Sequence, residues 1–194
     1  FHFGGAATIT TDGDITTDAG INIKTNNDIT FNPAQGGTAG DGLKITGDFD
    51  LVATTSNDTI TVSGDIIGVD GGGGGTNETV TITAGGTNGT SGGTIAIGGT
   101  IGSAGEIESV ALKAATAVKL GGNINTKGVS NNDVTITGPA ILTAAVDIDV
   151  TANATGTHEG DITFTSSIDD DNSGTASNLI LDADGGAIGV TGAI

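Results

Sequence analysis

Short runs in which apolar and polar residues alternate one by one dominate this chain. Successive side chains of a β-strand point to opposite faces, so a period of two indicates strands with one buried face. The β-branched residues that fill the runs favour the same structure. The alternation therefore predicts an all-β fold built from many short strands. The clearest runs are INIKT at 21–25, TVTITA at 79–84, SVALKA at 109–114, DVTITG at 133–138 and VDIDVTA at 146–152.

One segment comes close to a helical period. GEIESVALKAATAVKL at 105–120 has the length of a helix and is rich in alanine. Its Val110, Leu112, Val118 and Leu120 nevertheless fall on alternate positions, which favours strands. We therefore expect no helix in the chain, and we expect turns of Gly, Asn, Asp and Ser between the strands.

The composition limits the kind of core that these strands can build. The chain has five phenylalanines and no Trp, Tyr, Met or Cys, so aliphatic side chains must fill the interior. Its 36 glycines follow no three-residue period, and two prolines are too few for collagen. A slightly positive mean hydropathy argues against disorder. We expect a folded chain with a thin aliphatic core.

The charge excludes several classes of partner. With 23 acidic residues and five lysines or arginines, the formal net charge is −18. Such a surface repels the phosphates of nucleic acids and of anionic membranes. No apolar run approaches the ~20 residues of a membrane span. We expect no nucleic-acid partner and no membrane insertion, and cations, neutral glycans or further copies of the chain remain as partners.

The number and spacing of the strands favour a parallel β-solenoid. Each coil of a solenoid stacks on the last at about 4.8 Å and needs only small aliphatic side chains inside. Coils of roughly 20–25 residues would give eight or nine coils and a rod about 40 Å long. The alternative is an antiparallel β-sandwich, which would be expected to carry a larger and more aromatic core.

Internal matches indicate a longer repeat. LKITGDFDLVA at 43–53 matches VTITGPAILTA at 134–144, and three further pairs match at offsets between 93 and 102 residues. We therefore expect residues 1–194 to form a single solenoid with about two copies of a unit near 95 residues, at 43–133 and 134–194. The second copy is incomplete.

Several stretches resemble a known group of bacterial proteins. GDITFTSSIDDDNSGTASNLILDADGGAIGVTGAI at 160–194, NETVTITAGG at 77–86 and VKLGGNINTKG at 118–128 are similar to the strand repeats of filamentous-haemagglutinin-like and autotransporter-like adhesins and of giant S-layer-like proteins. The resemblance implies a right-handed parallel β-helix that is extracellular, at the cell surface, and works as a stalk, sheath or adhesive fibre. It implies no catalytic residues.

Three functions without catalysis follow as hypotheses. The first is a subunit or segment of an extracellular fibre, sheath or stalk, assembled head to tail with other copies by β-strand stacking. The second is an adhesin stalk that binds a glycan or a host surface through loops 33–42 and 70–78. The third is an ice-binding solenoid, suggested by TIT motifs at four places. Enzymatic activity is not expected, because only His2 and His158 are available as histidines and arginine is absent.

Calcium is the cofactor that the acidic turns suggest. Carboxylate and carbonyl oxygens in turns are the ligands that calcium prefers, but neither the EF-hand spacing nor the nonapeptide of calcium-loaded β-rolls is present. The other interpretation is that Asp and Asn simply form turns on a solvated face. The candidate metal ligands are Asp169, Asp170 and Asp171, then Asp12, Asp14, Asp182 and Asp184.

The two termini carry the strand pattern without a polar cap. The chain begins at Phe1 and ends in GAIGVTGAI at 186–194. We expect either a piece of a longer rod or ends that stack on neighbouring copies, an open contact that propagates. The candidate assembly residues are Phe1 and Phe3 at one end, and Val190 and Ile194 at the other.

Overall fold

A computed structural model describes most of the chain. It covers residues 2–11, 15–16, 20–33, 42–69, 78–86, 89–102, 107–126, 132–150, 160–174, 176–183 and 185–194. Within these ranges the protein is all-β, with twenty-one strands. The described part contains no helix, and hence none long and apolar enough to cross a membrane.

The strands are short, between two and six residues each. The segment at 105–120 contains β12 and β13, so the expectation of strands there is confirmed. In chain order the strands are β1 (His2–Phe3), β2 (Ala7–Thr11), β3 (Ile15–Thr16), β4 (Ile21–Thr25), β5 (Ile29–Pro33), β6 (Gly42–Ile45), β7 (Phe49–Ala53), β8 (Thr59–Val62), β9 (Asp65–Gly68), β10 (Thr79–Ala84), β11 (Thr94–Ile97), β12 (Ser109–Ala114), β13 (Ala117–Leu120), β14 (Ile124–Thr126), β15 (Val134–Thr137), β16 (Ala140–Leu142), β17 (Val146–Val150), β18 (Ile162–Phe164), β19 (Ile168–Asp170), β20 (Leu179–Asp182) and β21 (Ile188–Val190).

Consecutive strands of the chain belong to different sheets, in an order that repeats along the chain. Sheet A has eight strands, in the order β1-β4-β7-β10-β12-β15-β18-β21, and sheet B has seven, in the order β2-β5-β8-β11-β13-β16-β19. The strands β3-β6-β9 and β14-β17-β20 form two smaller sheets, C1 and C2. Ile101 links them, because it bridges to Ile66 on one side and to Ile124 on the other. The chain thus returns to each sheet after visiting the others.

All strand pairs among the described residues are parallel, so the antiparallel sandwich alternative is wrong. The register also corrects the predicted coil length. Paired residues lie from 22 positions apart, for Ala7 and Ile29, to 35 apart, for Ile60 and Ile95. The connections between strands vary in length, which the strand pattern does not reveal. Sheet A holds eight strands, and the seven steps of ~4.8 Å between them make it about 34 Å tall.

Inward-facing side chains from all the sheets form one hydrophobic cluster. In sheet A, a single row runs through Ile23, Leu51, Ile82, Leu112 and Ile136, all paired in register and all buried. Burying one such side chain stabilises the fold by ~1.5–3 kcal/mol. Because paired residues are in register, the buried residues of neighbouring strands line up in continuous apolar rows across the sheets. Small aliphatic side chains fill most of these rows.

Phenylalanine enters the interior at three described positions. Phe31, Phe49 and Phe164 are the largest fully buried side chains. Phe31 of sheet B packs edge to face against Phe49 of sheet A, with ring centroids 5.8 Å apart and planes at 77°. This contact joins the inner faces of two sheets directly, because β5 and β7 belong to different sheets.

Glycine is required where successive passes of the backbone approach closely. At Gly138 the φ angle is +108°, and an added Cβ would lie 1.8 Å from the carbonyl oxygen of Ala114. At Gly186 an added Cβ would lie 2.0 Å from the carbonyl oxygen of Gly160. Any side chain at these positions would push two passes of the chain apart, which explains part of the high glycine content.

The internal sequence matches join strands of different sheets. The matched segments 43–53 and 134–144 contain β6 and β7 in one case, and β15 and β16 in the other. These strands belong to C1 and A, and to A and B, respectively. The similarity at this offset is therefore between strand–turn–strand units that occupy different sheets. The division into two units near 95 residues stays a prediction.

Candidate functional site

Aspartate and asparagine side chains link successive passes of the chain at the starts of strands. Each of six such side chains accepts a hydrogen bond from the backbone N–H of the residue one step further along the sheet. The pairs are Asp28 with Thr59 (2.6 Å), Asp48 with Thr79 (3.3 Å), Asp65 with Thr100 (2.8 Å), Asn123 with Asp147 (2.9 Å), Asp133 with Asp161 (2.9 Å) and Asp161 with Ala187 (2.8 Å).

These bonds give many acidic residues a structural role. A backbone N–H at the start of a strand needs an acceptor, and a short side chain on the neighbouring pass supplies one. Asp48 also accepts a 2.8 Å bond from the hydroxyl of Thr79, so one carboxylate serves two donors. These six side chains bond the neighbouring pass of the chain, and none of them belongs to the candidate metal ligands.

The three aspartates suggested as calcium ligands are not gathered around one point. Asp169 and Asp170 are consecutive residues of β19, so their side chains point to opposite faces. Asp169 is exposed, whereas Asp170 is half-buried in register with the buried Leu142. Among the described residues, no group of three His, Asp or Glu side chains is placed to hold a metal ion. Calcium binding stays a prediction.

Asp171 follows β19 and closes a local turn. The backbone N–H of Ser173 donates to Asp171 Oδ1 at 2.9 Å. This bond, followed by the Ser173 side chain, holds the pKa of the Asp171 carboxyl below its usual value, and the charge of Lys119 acts in the same direction. These interactions favour the ionised carboxylate.

Of the remaining candidate metal ligands, the structure describes Asp182 alone. Asp182 is exposed at the end of β20 and is paired in register with Asp149 of β17. Asp149 Oδ1 is buried and has no hydrogen-bond partner among the described residues, while the residue makes other interactions. Asp12, Asp14 and Asp184 lie outside the described residues.

A row of buried polar side chains went unnoticed in the sequence. Glu78 and Glu108 are buried, and the backbone N–H of Glu108 donates to the carbonyl of Glu78 at 2.8 Å. Buried Asn132 occupies the corresponding position on the next pass, two residues before Val134 as Glu108 is two residues before Val110. The sequence contained a signal for these residues. Each lies two positions before the first inward-facing valine of the following strand, and residues two apart in an extended chain face the same side.

The candidate assembly residues lie where the last strands leave side chains uncovered. Ile188 and Val190 of β21 continue the inward rows of Ile162 and Phe164. Ile188 is nevertheless 48% exposed, because β21 is the terminal strand of sheet A. Ile194 follows at 88% exposure. The free edge of β21 thus displays apolar side chains that a further strand would cover.

At the other end, the described part of the interface is small. Phe3 lies in β1, the opposite terminal strand of sheet A, and Phe1 lies outside the described residues. Of the loops suggested for ligand binding, 34–41 and 70–77 also lie outside the described residues.

No protein-family model, curated protein or solved structure matches this chain. The resemblance to bacterial strand-repeat proteins therefore remains an expectation from the sequence. Function must be argued from the sheets and their edges.

Proposed function

We propose that the chain is a right-handed parallel β-helix that serves as a structural segment of an extracellular surface fibre, sheath or stalk. The single observation that carries the proposal is the rotation of the chain through parallel sheets whose inward side chains form one cluster. Parallel strands joined by a crossover connection are almost always right-handed. A rod of this kind gives a fibre its length and stiffness and needs no catalytic site.

End-to-end stacking of copies is the assembly mode that we propose. The free edges of β1 and β21 belong to the same sheet and run in the same direction, so a second copy can meet β21 with β1 in a parallel pairing. The contact would bring apolar residues of a second copy to the edge of β21, where Ile188 and Val190 now end their inward rows. Head-to-tail contacts of this type do not close and therefore propagate into filaments.

Binding to a glycan or a host surface is the second candidate. The long connections between strands support it, since an extended rod displays loops at intervals along its side. The ice-binding alternative has less support from the arrangement of threonines. The TIT motifs at 8–10 and 59–61 lie on β2 and β8 of sheet B, those at 81–83 and 135–137 on β10 and β15 of sheet A, and each pair is separated by a strand without the motif.

Electron microscopy and fibre diffraction of the purified chain test the proposal. We expect filaments with a meridional spacing of ~4.8 Å along the axis. Repetition with a calcium chelator tests the cofactor: loss of filaments would support calcium at the acidic turns, and unchanged filaments would argue against it.

Two matched variants test the stacking contact. Ile188→Glu places a charge on the inward row of β21, whereas Ile180→Glu places the same charge on the outward side of β20, at a residue that is already 58% exposed. We expect Ile188→Glu to abolish filaments and Ile180→Glu to leave them. Filaments that persist in Ile188→Glu would refute stacking through β21.

A further inference from the structure

The outer face of sheet A carries three rows of side chains. Pairing in register lines up the outward-facing residues of successive strands, as it does for the inward-facing ones. We name the rows by their place along the strands. The amino row includes Asp48, Thr79, Ser109, Asp133 and Asp161. The central row includes Asn22, Asp50, Thr81, Ala111, Thr135 and Thr163. The carboxyl row includes His2, Lys24, Val52, Thr83, Lys113 and Thr137.

The two outer rows of this face carry opposite charges. The three aspartates of the amino row are exposed, and the hydrogen bonds that they accept from the neighbouring pass use the Oδ1 atom. The carboxyl row contains Lys24 and Lys113, two of the five lysines of the chain, and none of its members is acidic. Between them, the central row has one charged member, Asp50, which accepts a 3.2 Å hydrogen bond from Asn22. The face is therefore negative along one side and positive along the other.

A second copy of this chain has charges that fit this pattern. Consider two copies that face each other through sheet A and are related by a two-fold axis parallel to the rods. This operation keeps the height of each residue along the rod and exchanges the two sides of the face. The amino row of each copy then lies over the carboxyl row of the other.

The positions of the lysines along the rod agree with this arrangement. Lys24 belongs to β4, and Asp48 comes directly before the neighbouring strand β7. Lys113 and Asp133 are related in the same way through β12 and β15. Each lysine therefore lies one strand step, ~4.8 Å along the axis, from an aspartate of the other copy. A two-fold axis along the strands would instead place the amino rows on each other and bring like charges together.

We propose that two copies of this chain pack side by side, with their rods parallel, through the outer faces of their sheets A. The amino row of each copy pairs with the carboxyl row of the other. The inference deepens the proposed function and rests on it in one respect, because it treats the chain as a segment of a fibre. The contact itself uses a sheet face and needs no free strand edge.

The size of the face determines how strong the contact can be. The face is ~34 Å tall and its three rows span ~13 Å, which gives a flat area of ~450 Å² per copy. The two copies together would bury ~900 Å², less than the ~1,200–2,000 Å² of stable interfaces. We therefore expect a weak dimer of the isolated chain, and a stronger contact in a fibre, where the same face repeats along the rod.

Sedimentation velocity of Ile188→Glu tests the lateral contact, because this variant is the one expected to lack end-to-end stacking. In ~0.15 M salt the screening length is ~8 Å, so repulsion between whole chains is reduced more than attraction between adjacent charges. We expect a concentration-dependent dimer. Adding Lys113→Glu should raise its dissociation constant about tenfold or more. Lys119→Glu makes the same change on the exposed outer side of β13 in sheet B and should leave the constant unchanged.

Two carboxylates separate the row pattern from net charge. Asp133→Asn keeps an acceptor for the Asp161 N–H and should weaken the dimer, although it makes the chain less negative. Asp50→Asn should strengthen the dimer, because Asp50 of the central row would face its own copy across the two-fold axis. If both variants strengthen the dimer, net charge controls association and the inference is wrong.

The remaining outcomes distinguish this inference from the proposed function. An Ile188→Glu variant that stays monomeric at ~1 mM would overturn the lateral contact, as would equal effects of Lys113→Glu and Lys119→Glu. Filaments of the wild type without lateral dimers would leave the fibre proposal standing and overturn this inference. Dimers of Ile188→Glu without wild-type filaments would do the reverse. Far-UV circular dichroism checks that each variant is folded, and Asp133→Asn keeps the test available if Lys113→Glu is not.

Discussion

Three glycine-to-alanine variants separate backbone conformation from close packing between passes of the chain. Gly189 has no positive φ and no atom within 4 Å of an added Cβ. Gly174 has a φ of +91° and the same open surroundings, whereas Gly138 combines a φ of +108° with a carbonyl oxygen 1.8 Å from the added Cβ. The series therefore adds one cause of destabilisation at a time.

The expected magnitudes follow from these environments. Gly189→Ala should leave the free energy of unfolding unchanged or raise it by ~0.4–1 kcal/mol, through the unfolded chain. Gly174→Ala should lower it by ~1–2 kcal/mol, the penalty for a left-handed L-residue. Gly138→Ala should lower it by ~2–5 kcal/mol, since the Ala114 carbonyl must also move away and one or two ladder hydrogen bonds of ~0.5–1.5 kcal/mol each are lost.

Guanidinium unfolding followed by far-UV circular dichroism measures the series, because the chain has no Trp or Tyr for fluorescence. Slopes and midpoints are compared together, since arrays of stacked units can unfold in more than one step. If Gly138→Ala and Gly174→Ala destabilise the protein equally, within 0.5 kcal/mol, close approach of successive passes does not explain glycine at Gly138.

Further predictions concern a strand start, the core and one titrating carboxyl. Asp133→Ala should lower the free energy of unfolding by ~0.5–1.5 kcal/mol, because the hydrogen bond from the Asp161 N–H is lost. Asp133→Asn keeps an acceptor and should retain most of that free energy. An equal decrease in both variants would mean that the charge of Asp133, and not the hydrogen bond, is the cause. Ile82→Ala, at a fully buried site, should lower the free energy of unfolding by ~2–5 kcal/mol. Thr81→Ala, on the outward face of the same strand, should lower it by less than 1 kcal/mol. Similar decreases in the two variants would contradict the assignment of inner and outer faces. In NMR the Asp171 carboxyl should titrate with a pKa below the usual value for an aspartate. Because the pKa of this carboxyl is lower in the folded protein than in the unfolded chain, its stabilising contribution is present above the unfolded pKa and is lost as the pH falls through the folded pKa. Ser173→Ala keeps the backbone N–H donor and should raise the pKa of Asp171 only partly. A complete return of the pKa to the usual value would contradict the Ser173 N–H as the main cause.

The sequence predicted the strands because side-chain parity is a local property. Val110 and Leu112 had to share a face once the segment was extended, and both are buried. The pairing of strands was not predictable in the same way. It depends on the lengths of connections that carry no alternation, so the match between 43–53 and 134–144 joined strands of different sheets.

The acidic residues show a second limit of sequence patterns. Asp169, Asp170 and Asp171 looked like a turn, yet β19 includes the first two and places them on opposite faces. Glu78 and Glu108 were passed over because a search for apolar alternation ignores polar residues at inward positions. In both cases the position along the strand decided the environment more than the residue type did.

The six hydrogen bonds from strand-start N–H groups to Asp and Asn side chains all have the same direction along the chain. In each of the six, the acceptor side chain comes earlier in the sequence and the N–H that it receives comes later. When the amino-terminal part of such a chain emerges first, these six acceptors are already in position before the N–H groups that they receive. Folded residues then act as a template for those that follow, and the rod can be wound progressively from its first residues onward while the rest of the chain is still being delivered.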